Sequence, residues 1–133
     1  VAGRAGQYIT FRIARLDFAI RADCVRGVLP PKEMNPATGF AILRGGCFPV
    51  LDLRAKLGLP HASLGREPYI VAVEVEGRLV GFIVDRVCGV VKARERDFRA
   101  GKLCASGRPR EVLDPKCLVR LAILPAAGFL TGS

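Results

Sequence analysis

Asp23-Cys24-Val25-Arg26-Gly27-Val28 and Asp85-Arg86-Val87-Cys88-Gly89-Val90 are one phrase written twice, 62 residues apart, with Asp, Val, Gly and Val in register. The same shift, without a gap, lays Gly45 on Gly107 and Val50-Leu51-Asp52 on Val112-Leu113-Asp114. It also lays the apolar comb Ile9, Phe11, Ile13 on Val71, Val73, Val75. Self-similarity at one fixed period means one supersecondary unit used twice. Val, Gly and Leu are common here, so scattered identities would mean little. Identities grouped at a single shift, with the strand rhythm agreeing, point to a duplication.

Around that phrase the dominant period is two. Ile9-Thr10-Phe11-Arg12-Ile13 alternates apolar and polar, which predicts a strand with one buried and one wet face. Phe18-Ala19-Ile20 returns from it as a hairpin. Ala22 to Val28 reads as a short helical turn capped by Asp23 and stopped by Pro30-Pro31, and 32–39 as a loop. Phe40 to Leu43 and Phe48 to Leu53 read as strands about a turn at Arg44-Gly45-Gly46, with Pro49 marking an edge or a bulge. Leu51 to Leu59 continues into a helical turn, and residues 61–68 form a linker by composition. Ile70 to Val75 and Leu79 to Val84 repeat the hairpin, and Gly77 supplies a positive φ to its turn. A further hairpin runs from Leu103 to Leu113. Short strands with glycine turns indicate small barrels, so two copies give two barrels, roughly 8–60 and 69–121, in a single domain over 1–133. No stretch reads as a long amphipathic helix, which argues against a wound α/β sheet.

A chain of 133 residues hides roughly two thirds of its unfolded surface, whereas a half of about 60 residues makes a marginal core. The halves should therefore share an apolar seam. Half of the residues are hydrophobic, which excludes wholesale disorder. No window approaches the ~20 apolar residues of a membrane span. Residues 1–6 lack the layout of a secretory signal, and the chain reads as soluble and cytoplasmic. Five cysteines without a C-x-x-C argue against a disulfide framework or a zinc site and for small core or half-buried thiols.

Net charge is +9, from 21 Lys and Arg against 12 Asp and Glu. Such a charge permits an acidic partner, nucleic acid included. The basic residues are spread along the chain, and 92–99 interleaves acids. Two Tyr and no Trp leave few platforms for base stacking. Charge alone does not make a nucleic-acid-binding barrel, and that reading stands second.

Catalysis finds no foothold. An enzyme needs a nucleophile or metal, a base and a stabilising pocket. The lone His61 lies in the linker. Asp52 and Asp114 occupy equivalent places in the two copies, as duplicated structural acids capping a following turn would. Arg44-Gly45-Gly46 is flanked by strands, whereas a phosphate loop opens a long helix. No cofactor is implied.

Several stretches in order resemble the CheW family of bacterial chemotaxis coupling proteins. They are Tyr8-Ile9-Thr10-Phe11 to Phe18-Ala19-Ile20, Val25-x-x-Val28, Gly39-Phe40-Ala41-Ile42-Leu43-Arg44-Gly45 and Phe48-Pro49-Val50-Leu51-Asp52-Leu53-Arg54. Val80-Gly81-Phe82-Ile83-Val84-Asp85-Arg86-Val87, Val90 and Val112-Leu113-Asp114 complete the set. The resemblance implies an all-β fold of two SH3-like five-stranded β-barrels packed side by side. It further implies a non-catalytic adaptor joining the chemoreceptor cytoplasmic tip to a CheA-type histidine kinase, or the same module within a larger kinase or response-regulator protein. Carried over by position, Val25, Gly39, Arg44, Gly81, Val87 and Val90 match positions of the receptor-binding groove or its support. Gly45, Phe48 and Val50 match the kinase-docking side. The chain departs from the pattern at Gly27, where family members carry an acid able to pair with the arginine; Glu33 and Asp23 are the nearest substitutes in sequence.

Overall fold

The computed structural model describes residues 4–56, 58 and 68–123. β1 (Gly6–Ile13) and β2 (Leu16–Arg21) form a hairpin, and a 3-10 turn at Ala22–Cys24 leads into β3 (Val25–Leu29). β4 (Met34–Asn35), β5 (Phe40–Leu43) and β6 (Gly46–Leu51) follow, and the short helix α1 (Leu53–Lys56) ends the first copy. The second copy runs β7 (Tyr69–Val75), β8 (Arg78–Val84), β9 (Arg86–Ala93), β10 (Phe98–Arg99), β11 (Lys102–Leu103) and β12 (Arg110–Val112), then α2 (Pro115–Ile123). Strand for strand, the order is the same.

The duplication extends to its irregularities. β3 pairs with β7 through a bulge between Val25 and Gly27. β9 pairs with β1 through a register shift at Thr10/Phe11, which face Gly89 and Val87. Those are the 62-residue equivalents. The ungapped shift does hide one local slip. The 3-10 turns at Pro31–Glu33 and Glu95–Asp97 lie 64 residues apart, and a shorter loop before β11 restores the register.

Two curled sheets result, ordered β10-β11-β12-β2-β1-β9 and β3-β7-β8-β6-β5-β4. Each counts six strands by including a two-residue stub, around the five that the barrel expectation required. Residues 8–60 and 69–121 do not, however, close one sheet apiece. The hairpin β1–β2 joins β9–β12, which we term the terminal barrel, and β7–β8 joins β3–β6, the central barrel. Each copy lends its hairpin to the other. The two copies offer strand edges of like pattern, so the same hydrogen bonds form within a copy or across copies, as in domain swapping.

Exchange sandwiches the hairpins. Phe11, Ile13, Phe18 and Ile20 meet Val71, Val73, Val80, Phe82 and Val84 in one buried cluster, closed by Leu51, Leu53 and Leu118. Their opposite faces line smaller cores. Tyr8 and Ala19 join Ala93 and Leu103 in the terminal barrel, and Ile70 and Ala72 join Ala41 and Phe48 in the central one. The expected seam is thus the largest apolar cluster among the described residues. For the same reason β1 has no fully wet face. Thr10 is only 2% exposed and donates its hydroxyl to the carbonyl of Gly89 at 3.2 Å.

Two local expectations need correction. Beyond Cys24 the segment to Val28 is strand, because Val25 to Leu29 finds the free edge of β7. Asp23 caps nothing and pairs with Arg21. The helix α2 was not foreseen, although its start is written in Asp114-Pro115. Asp114 Oδ1 accepts from the Lys116 amide at 2.9 Å, and Asp52 Oδ1 accepts from the Arg54 amide at 3.1 Å. The duplicated acids do cap the segments that follow them. Leu118 carries α2 into the seam.

Candidate functional site

Val25 and Val87 occupy equivalent places on the edge strands β3 and β9, half-buried against the seam. Val90, one face over, is 61% exposed. Gly39 is half-buried at φ +75° and its carbonyl accepts from the Val50 amide at 2.8 Å, which ties a position assigned to the groove to one assigned to docking. Arg44 and Gly45 fill the β5–β6 turn with φ of +51° and +82°, the left-handed pair that a tight hairpin requires. Both are exposed.

Arg44 makes no ion pair with any described residue. Glu33 does not reach it, and Asp23 is taken by Arg21. At Gly27 a Cβ would come within 3.3 Å of Leu43 Cδ2, so that position packs against β5. The arginine is therefore left facing solvent, a planar fork of donors without an internal acceptor.

Two assigned positions are not surface at all. Phe48 is 0% exposed inside the central barrel, and Gly81 is buried beside it. A Cβ on Gly81 would sit 2.8 Å from Phe48 Cε2 and 3.0 Å from Ile70 Cγ2. Groove glycine and docking phenylalanine back one another across the core, and neither can touch a partner directly. Residue type alone does not separate the two cases, because a strand interior and a groove ask for the same side chains. Gly81→Ala is expected to destabilise the fold by about 1–3 kcal/mol through overpacking, measurable as a lower urea midpoint with an unchanged slope.

Position by position, the structure also joins the two most specific motifs. β6 and β8 run parallel, with Val50 opposite Gly81 and Leu51 opposite Phe82. Three residues further along each strand, Arg54 forms an ion pair with Asp85. Arg54 is 4% exposed. The other Asp85 oxygen accepts from the Ala14 amide at 2.8 Å, and the Asp85 amide donates to the Arg12 carbonyl at 2.8 Å. One carboxylate thus pins α1, the end of β8 and the β1–β2 turn, where Ala14 and Arg15 hold φ of +50° and +72°. The matching place in the duplication is open. Asp23 binds Arg21, and Lys116, the counterpart of Arg54, is exposed.

Among the described residues no group of three His, Cys, Asp or Glu could hold a metal. All five cysteines are free, and Cys47, Cys88 and Cys117 are exposed rather than core or half-buried as expected. Burial, helped by the neighbouring Asp23 carboxylate, pushes the Cys24 thiol up to about 11. His61 lies outside the described residues. No described helix is long and apolar enough to cross a membrane.

A family model described as CheW-like domain matches residues 7–115. The chain belongs to the CheW-like domain family. Relatives of this CheW-like domain include the chemotaxis protein CheW of Rhizobium meliloti, 29% identical over 100 residues, covering 70% of the chain and 64% of the relative. The chemotaxis protein CheW of Helicobacter pylori is 28% identical over 68 residues, covering 51% and 41%. The chain thus spans less than two thirds of the length of these curated relatives. The solved structure of the scaffolding protein TtCheW from Thermoanaerobacter tengcongensis superposes with a TM-score of 0.72 at 20% identity, over 83% of this chain and 89% of that one. That likeness shows the fold: two β-barrel subdomains.

Proposed function

We propose that this CheW-like domain is a non-catalytic adaptor that couples the cytoplasmic tip of a chemoreceptor to a CheA-type histidine kinase. The names of its relatives, chemotaxis protein and scaffolding protein, describe assembly rather than turnover, and they favour this reading over a nucleic-acid-binding barrel. The observation that carries it is Arg44, presented on a rigid two-residue turn without an internal acid. An arginine so placed fits a carboxylate or a row of carbonyls on a partner helix. Val25, Val87 and Gly39 then shape the groove, and Val90 contributes apolar contact at its rim. Gly45 and Val50 border the kinase-docking side, with Phe48 and Gly81 supporting it from within. Stable contacts of this kind bury on the order of 1,000–2,000 Å² each.

Because Val87 packs on the seam, Val87→Glu would unfold as readily as it would unbind. Arg44→Glu and Val90→Glu are the cleaner variants, both being exposed. Each is expected to leave thermal unfolding within about 0.5 kcal/mol of the parent while abolishing co-sedimentation with receptor–kinase arrays. Undiminished incorporation of both would overturn the assignment.

A further inference from the structure

The two barrels are controls for one another, since one architecture imposes one set of folding demands. Their surfaces have nonetheless diverged in charge. Residues 6–21 and 86–112, which build the terminal barrel, hold eleven Lys and Arg against four Asp and Glu. Residues 25–51 and 69–84, which build the central barrel, hold four against three. A basic surface kept only for solubility would have no reason to prefer one twin.

The divergence is sharpest at one rung. In the terminal barrel Arg99 stands directly opposite Lys102, and both are exposed. In the central barrel the same rung is Asn35 opposite Phe40. Like charges opposed across a ladder are destabilising, and no described acid pairs with either cation. The fold accepts a neutral rung there, so stability does not explain the cationic one.

Arg99 of this rung lines a depression of about 340 Å³, which shares Arg96 and Asp97 with a cleft of about 430 Å³ lined by Val90, Lys92, Arg94, Arg96 and Asp97. Asp97 is already engaged, accepting the Arg94 amide at 2.7 Å. Lys92, Arg94 and Arg96 are exposed and form no ion pair with described residues. Val90, alternating outward with Lys92 on β9, adds an apolar step between the charges.

We propose that this basic cleft of the terminal barrel binds an acidic protein segment bearing interspersed apolar residues. A polypeptide suits it better than a nucleic acid. Glu95 and Asp97 interrupt the cations and would repel a continuous phosphate chain, and Phe98, the nearest aromatic, is half-buried with its ring packed edge-on to Tyr8. The cleft shares Val90 with the groove rim proposed above but does not include Arg44, and its occupant reaches beyond the coupling proposed there.

The test uses a fluorescein-labelled peptide of repeated Glu-Glu-Leu-Glu units, read by anisotropy at rising salt. The parent protein should bind it, with affinity falling as salt screens the attraction. The double variant Arg94→Glu/Arg96→Glu should lose roughly tenfold or more, with an unchanged circular dichroism melt. Lys32→Glu, at the Arg96-equivalent place in the central barrel, and Arg44→Glu should bind nearly as the parent does. Absence of binding, equal losses for all these variants, or tighter capture of a single-stranded oligonucleotide or of phosphatidylserine vesicles would each overturn the proposal. Retained peptide binding by Arg44→Glu alongside lost array incorporation would separate the two sites.

Discussion

Asp85→Ala is expected to lower stability by about 3–5 kcal/mol, the penalty for breaking a buried ion pair by removing one member. Arg54 would remain 4% exposed without the Asp85 carboxylate. The Ala14 amide would lose its acceptor in a turn that holds two non-glycine residues at positive φ. Against a domain stability of roughly 5–15 kcal/mol this is a large fraction. The companion variant Arg54→Met/Asp85→Ala should recover most of the loss, because an apolar replacement of a buried pair is often close to neutral. Urea unfolding of the parent, single and double variants closes the cycle. A single variant as stable as the parent would mean that the pair is ornamental.

Phe82→Ala should cost about 3–5 kcal/mol as well, by a different route. Phe82 is fully buried at the centre of the seam, with its ring 5.2 Å from that of Phe11 across the two sheets. Truncation removes apolar contact and leaves a cavity that strands on both sides cannot easily collapse into. Because each barrel contains a hairpin from the other copy, both should fail together. The chain has two tyrosines, Tyr8 in the terminal barrel and Tyr69 in the central one. With fluorotyrosine at both, the two fluorine signals should report one coincident transition in parent and variant alike. Separate midpoints would show that the seam does not couple the barrels.

Much of the architecture was legible from pattern. A period of two, glycine turns and the 62-residue echo name strands, hairpins and their number, since alternation and positive φ are local demands. The caps at Asp52 and Asp114 were readable for the same reason. Less of the site was. Gly81 and Phe48 are carried over by position as groove or support and docking-side residues, and that they are core partners is not readable there, because burial depends on which strand lies behind. The Arg54–Asp85 pair sits 31 residues apart in sequence and becomes visible once β6 and β8 are known to run parallel in matched steps. Arg44 was singled out by its place in the motif, but its exposure and its freedom from an internal acid depend on how the turn is presented and where Glu33 and Asp23 end up.

Read alone, the chain declares a doubled β unit with an apolar seam, because hydrophobic rhythm and turn chemistry act over a few residues. Which hairpin completes which barrel is another matter. Two copies of one strand pattern present interchangeable edges, and the choice falls to whichever pairing buries both faces of β1–β2 and β7–β8. That choice is made by the packing of the whole chain.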